Sequence, residues 1–218
     1  TTVDITVTNL AIQASQGIGS ANDLNITADV LAAQNDLGAS QTGNININNI
    51  GNLTIGTIDG VIGVLNNASG GTITINVDTV GSEPGSLTVN QSIGSQNGAI
   101  AITADDDISF ADIGDVSSAG GNISITADTV ASPANNGGAI TMLDGTFINA
   151  GTGQVNLVAD GNITLGLVQS DSGVANAISI TTTSGAVLDA SEVSTNADLL
   201  AATGGVVITS ATGVGTSG

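Results

Sequence analysis

The sequence predicts an all-β fold: a β-solenoid of about nine to ten irregular coils of parallel strands, running as one continuous array through residues 1–218. Three observations carry this expectation. First, a short phrase recurs, a small polar turn followed by apolar residues at every second position. It reads Gly43-Asn44-Ile45-Asn46-Ile47, Gly71-Thr72-Ile73-Thr74-Ile75, Gly121-Asn122-Ile123-Ser124-Ile125 and Ala177-Ile178-Ser179-Ile180. Alternation of this kind is the pattern of a half-buried strand, and its return at a fixed scale is the mark of an array. Second, 40% of residues are hydrophobic while only 1% are aromatic. That apolar content separates the chain from disordered segments, and a core of Ile, Val, Leu and Ala without rings suits a narrow interior. Third, no stretch carries the 3.6-residue period of a long helix.

Strand starts are expected at Val3, Leu24, Ile45, Ile73, Leu87, Ile100, Ile123, Ile140, Val155, Ile178 and Val206. Spacings of 21 to 28 residues, as from Ile45 to Ile73, correspond to whole coils, and spacings of 13 to 17 to two strands of one coil. Second strands follow a short turn at Leu53-Thr54-Ile55, Ile108-Ser109-Phe110 and Ile163-Thr164-Leu165. At about 4.8 Å per coil the stack is of order 45 Å long. The column Ile45, Ile73, Ile100, Ile123, Ile140 and Ile178 is expected inside. Gly and Asn pairs such as Gly120-Gly121, Asn97-Gly98 and Asp160-Gly161 mark the corners. Pro84 and Pro133 both fall between expected strands. Residues 30–42 break the pattern and read as a looser loop or a short helix, and residues 212–218 as a coil end or tail.

Composition limits function. The chain has no Lys, Arg or His against 17 Asp and two Glu, a net charge of −19. No side chain can neutralise phosphate, which excludes nucleic-acid binding, and anionic membrane surfaces would repel the chain. The absence of Cys removes disulfides and thiolate metal sites. No run of 18 apolar residues is present.

The phrases Gly-Asn-Ile-Ser-Ile-Thr-Ala-Asp at 121–128 and Ala-Asp-Gly-Asn-Ile-Thr-Leu-Gly at 159–166 resemble the repeats of filamentous-haemagglutinin-type, two-partner-secreted bacterial exoproteins. The resemblance covers most of residues 24–210. It implies a right-handed parallel β-helix, secretion, and adhesive or scaffolding work at a bacterial surface. The Asn-Pro-Asn motifs of the secretion domain that opens such proteins are missing, as expected of a segment from the repeat region.

Four groups of residues are candidates for function. Asp105, Asp106 and Asp107 lie in a turn between two expected strands, with Asp112 and Asp115 after the second. Converging carboxylates can hold Ca²⁺ through six to eight oxygens, and a chain without cations has reason to recruit one. The spacing is that of neither an EF-hand nor a glycine-rich Ca²⁺ nonapeptide, and a solvated acidic corner is the competing reading. Catalysis is limited by the same composition. A Ser nucleophile lacks a His or Lys base, and a lyase lacks a cation for its enolate, but a glycosidase needs only two carboxylates. The chain is therefore read as non-enzymatic, with a carbohydrate-active β-helix working through Asp as the alternative. The sequons at Asn25, Asn52, Asn67, Asn90, Asn122 and Asn162 are no more numerous than Asn, Ser and Thr content predicts by chance. Thr6/Thr8 and Thr72/Thr74 could form part of an ice-binding ladder, but such pairs do not recur coil after coil. Asn at inner corners is expected to form side-chain ladders that satisfy turn backbone.

The expected role is mechanical: a secreted rod of a surface adhesin or extracellular fibre, facing a host or matrix surface. With no capping helix at either terminus, it should dock end to end or continue into further coils.

Overall fold

The computed structural model describes residues 2–38, 40–81, 85–128, 137–190 and 197–215. Among these residues every regular element is a strand. One sheet has nine strands in the order Ile5–Thr6, Leu24–Thr27, Ile45–Ile50, Ile73–Asp78, Ile100–Ala104, Ile123–Ala127, Val155–Ala159, Ile178–Thr182 and Val206–Thr209. All of its pairings are parallel, and strand order follows chain order. Partner offsets run from 21 residues (Ile5 with Ile26) to 32 (Ile123 with Val155). The spacing of paired strands, about 4.8 Å, puts the first and last of the nine roughly 38 Å apart.

The second sheet, of 15 strands, consists of two parallel columns. One runs through Leu53–Ile55, Leu87–Val89, Ile108–Phe110, Ile140–Met142, Ile163–Leu165, Ala186–Asp189 and Gly213–Val214. The other runs through Val64–Asn66, Ile93–Ser95, Val116–Ser118, Phe147–Asn149, Leu167–Ser170 and Leu199–Ala201. Val30–Asn35 joins them, pairing through Val30 and Leu31 with Thr54 and Ile55, and through Ala33–Asn35 with Val64–Asn66. Asn9–Ala14 pairs along the whole length of that joining strand. Each strand of the nine-stranded sheet therefore begins one rung, which continues through one or two strands of the second sheet. This arrangement is compatible with a β-solenoid.

The core is the row of inward side chains on every rung. Ile45, Ile73, Ile100 and Ile123 are paired in succession, then Val155 and Ile178, all at most 1% exposed. Ile140 pairs with Ile108 and Ile163 in the second sheet and is equally buried. Phe110, between Val89 and Met142, is the one ring in this core among the described residues. An isoleucine side chain buried this fully contributes about 1.5–3 kcal/mol, and because each rung touches only its neighbours the contributions are local.

Corners are held by polar side chains pointing inward. Asn35, Asn66, Ser95 and Ser118 occupy one column. Asn35 donates to the Asn66 side chain (2.9 Å) and to Thr42 O (3.0 Å) and accepts from Gly17 N–H (3.0 Å). Asn66 donates to Gly43 O and Thr72 O, while Ser118 Oγ donates to Gly98 O and accepts from Gly121 N–H. This is the expected ladder that satisfies turn backbone. Glycine is required at the adjacent corner by close approach: a Cβ on Gly98 would lie 2.0 Å from Gly71 O, one on Gly121 2.1 Å from Gly98 O, and one on Gly153 2.3 Å from Gly121 O.

Within residues 30–42, expected as a loop or short helix, residues 36–38 and 40–42 carry no regular element, but Val30–Asn35 is instead a strand. Its alternation is missing because both of its faces are covered. Between Ile55 and Val64 the chain inserts an antiparallel hairpin, Thr57–Ile58 with Val61–Ile62, turning through Asp59 (φ 50°) and Gly60 (φ 85°). Positive φ at both central residues is the turn whose twist matches a hairpin. The hairpin packs against Val30–Asn35, and Gln34 Nε2 donates to Ile62 O (2.9 Å). Ala32 and Gln34, which would otherwise face solvent, are buried. A strand covered on both sides loses its polar alternation. The first strand, expected to start at Val3, is only Ile5–Thr6. Gly213–Val214 in the C-terminal tail forms a further rung against Ala186 and Val187. Pro84 and Pro133 lie outside the described residues.

Candidate functional site

Asp105, Asp106 and Asp107 fall in the turn between Ile100–Ala104 and Ile108–Phe110, as expected. Their carboxylates serve neighbouring rungs. Asp105 Oδ2 accepts from Thr79 N–H and from Thr79 Oγ1, each at 2.7 Å, and Asp106 Oδ2 accepts from Ser86 Oγ at 2.9 Å, both on the preceding rung. Asp107 Oδ1 accepts from Ala139 N–H (2.8 Å), and Asp115 Oδ1 from Phe147 N–H (2.9 Å), both on the following rung. Asp112 is exposed. Among the described residues no three acidic side chains are grouped so as to hold a metal ion. Asn does the same work at other corners: Asn44, Asn52, Asn122 and Asn162 accept through Oδ1 from the N–H groups of Thr72, Ser86, Gln154 and Ala186. Three of the sequon asparagines thus fasten successive rungs.

The phrase Ala-Asp at 104–105, 127–128 and 159–160 produces a stack at the end of the first sheet. Asp105, Asp128 and Asp160 donate their backbone N–H groups to Val77 O, Ala104 O and Ala127 O, so each sits above its predecessor, with Asp78 closing Ile73–Asp78 in line. Parallel register therefore stacks four aspartates at their backbone on a chain without cations, with Asp128 (φ 42°) turned in and buried between half-exposed neighbours.

A cavity of about 200 Å³ lies where the two columns of the second sheet meet. It is lined by the Asp144-Gly145 turn, Phe147, Leu165 to Leu167, Asp189 and Asp198. Burial raises the Asp198 carboxyl above the ordinary carboxylate range. The charge of Asp189, a side-chain hydrogen bond to Asp189 and the charge of Asp144 add to the shift. A carboxyl raised by burial beside a second carboxyl is the kind of pairing that proton transfer to a glycosidic oxygen uses. These two carboxyls are hydrogen-bonded to each other, however, whereas a retaining pair stands about 5–5.5 Å apart with the sugar bond between. The sequence does not mark this group because Asp144 is 45 residues before Asp189, and Asp189 and Asp198, nine residues apart, share no motif. Rung register brings Asp144 beside Asp189 and Asp198, which lie on one rung.

The Thr pairs do not form a continuous ladder. Thr74 stands in a column with Asn46 and Ala101, and Thr103 and Thr126 are followed by Val158. No family model, curated protein or solved structure matches the chain.

Proposed function

We propose that the chain is a segment of a right-handed parallel β-helix of about nine to ten coils, acting as a rigid, non-enzymatic rod in a secreted bacterial surface adhesin or extracellular fibre. The observation that carries this reading is unbroken parallel stacking combined with an uncovered last rung. Val206 is 39% exposed and Val214 63%, whereas their partners one rung back, Ile178 and Val187, are 0% and 2% exposed. An open strand edge with apolar side chains on its inner face favours pairing with another strand, as a second copy docked head to tail would supply. Negative-stain imaging and light scattering at physiological salt and millimolar Ca²⁺ test the assembly. Rods longer than one copy support it. A strictly monomeric 20.9 kDa species with ordered terminal rungs would defeat it.

The alternative is a carbohydrate-active β-helix, favoured by the cavity holding Asp144, Asp189 and Asp198. Release of reducing ends from a polysaccharide by the parent protein, abolished by Asp198→Asn, would establish that reading instead.

A further inference from the structure

The outer surface of the nine-stranded sheet is unlike the rest of this acidic chain. Its first outward column runs through Asn46, Thr74, Ala101, Ser124, Asn156 and Ser179, and the next, from Asn48 to Thr209, is also uncharged. Over these rungs the acidic groups stand at the edge where Asp78, Asp105, Asp128 and Asp160 stack, and Asp4, which accepts from Asn25 N–H, lies at the N-terminal end of the sheet, away from the rungs of Ile123 to Ile178. On the neutral side a shallow groove of about 220 Å³ crosses three successive rungs. Its polar lining is Asn122, Ser124, Gln154, Asn156, Asn176 and Ser179, amides and hydroxyls without one charge.

Part of this lining is held in place by its neighbours. Asn122 Oδ1 accepts from Gln154 N–H (2.9 Å), and Gln154 Nε2 donates to Asn176 O (3.1 Å). Asn156 Nδ2 donates to Ser124 Oγ (3.5 Å), and the floor beneath is made of paired strands. Such a surface is preorganised, which lowers the ordering cost of binding.

We infer that this groove binds an extended, uncharged polysaccharide lying along the stacking axis. Charge and polarity select the ligand class. Anionic polymers meet a chain of net charge −19 with no cation. A cationic ligand would be drawn to the aspartate stack, away from the neutral groove. A second copy laid on this face would bring two bodies of charge −19 together without the unpaired strand edge that favours docking at the end of the stack. A protein partner would need an apolar or aromatic anchor pocket, and the apolar floor residues Ile123 and Val155 are fully buried. A neutral sugar chain needs what the groove offers, amides and hydroxyls that both donate and accept. Parallel register repeats those groups about every 4.8 Å along the axis, a spacing suited to one sugar unit per rung.

The inference rests on the adhesive-rod reading and names the surface such a rod would hold. Affinity electrophoresis in native gels tests it. The folded chain is run through gels containing hydroxyethyl cellulose, galactomannan or polygalacturonate. Retardation by at least one neutral polymer is expected, with little dependence on salt because no ion pair is involved. Asn156→Ala/Ser179→Ala should raise the apparent Kd about tenfold or more. Asn176→Ala, outside the strands, should weaken binding without touching the sheet. Thr141→Ala, exposed on the second sheet, should leave binding unchanged. Unaltered mobility in both neutral gels, retardation only by polygalacturonate, or full retardation of both groove variants would each overturn the inference. Assembled rods that are not retarded would overturn the groove alone. Retarded protein that never assembles would leave the groove and defeat the rod.

Discussion

Replacing Asn66 by Ala tests how the corners are held. Asn66 is fully buried, donating to Gly43 O (3.2 Å) and Thr72 O (3.0 Å) and accepting from Asn35 Nδ2 (2.9 Å) and Ala68 N–H (3.1 Å). Each bond is worth about 1 kcal/mol net, and an orphaned buried donor costs somewhat more, so the loss should be roughly 3–5 kcal/mol. Asn66→Ser installs the residue found one and two rungs on, at Ser95 and Ser118, and keeps one donor and one acceptor. It should cost about half as much. Asn66→Asp keeps the shape but removes both donors and buries a charge, so it should cost at least as much as Ala. Urea unfolding followed by far-ultraviolet circular dichroism measures this, since the chain has no Trp or Tyr to report by fluorescence. An Ala variant within about 1 kcal/mol of the parent, or an Asp variant as mild as Ser, would refute the ladder as the corner's main support.

Three further outcomes are expected. Ile123→Asp puts an unpaired carboxylate at a 0% exposed site and should unfold the adjoining rungs; unchanged dichroism and melting would count against the burial assignment. Because the folded-state pKa of Asp198 is raised, its ionisation opposes folding above that pKa, and stability is regained as pH falls through it toward the unfolded value. Asp198→Asn should therefore stabilise the protein at neutral pH and flatten this part of the acid-side gain, and a variant less stable than the parent at pH 7 would contradict the sign. Millimolar Ca²⁺ should raise the melting temperature and EDTA should reverse the rise if the Asp105–Asp107 turn, with Asp112 and Asp115, takes an ion; a curve indifferent to both reagents leaves these residues as a solvated turn that ties neighbouring rungs.

The strands that were legible in the sequence are those long enough to alternate. Ile73–Asp78 and Ile123–Ala127 show three inward residues each, and the phrase around them repeats. Three-residue strands such as Leu53–Ile55 and Ile108–Phe110 could still be read from two apolar residues flanking a polar one, whereas Val116–Ser118 and Ile93–Ser95 went unread because each has one apolar residue and ends on Ser, so that their identity comes from stacking on neighbours. Val30–Asn35 was misread because burial on both faces erased its polar positions. The cause lay in an Asp59-Gly60 turn signal some 25 residues downstream. The acidic turn at Asp105–Asp107 was visible as a cluster, but the direction of each carboxylate depends on rung register. The neutral groove was invisible for the same reason: its residues come from three rungs and are individually ordinary.

Register is thus the quantity on which the core, the corner ladders, the aspartate stack and the groove all depend. The chain has no Cys, so paired cysteines can measure register without background. Ala101 pairs with Ser124, and Ser124 with Asn156 across an offset of 32 residues. Paired parallel neighbours about 4.8 Å apart fall within disulfide reach, whereas a pair displaced by two residues along the strand exceeds about 7 Å. Ala101→Cys/Ser124→Cys and Ser124→Cys/Asn156→Cys should each oxidise to an intramolecular disulfide with native dichroism, while Ala101→Cys/Thr126→Cys should stay reduced. Efficient oxidation of the displaced pair, or failure of both registered pairs, would contradict the stacked parallel fold and everything built on it.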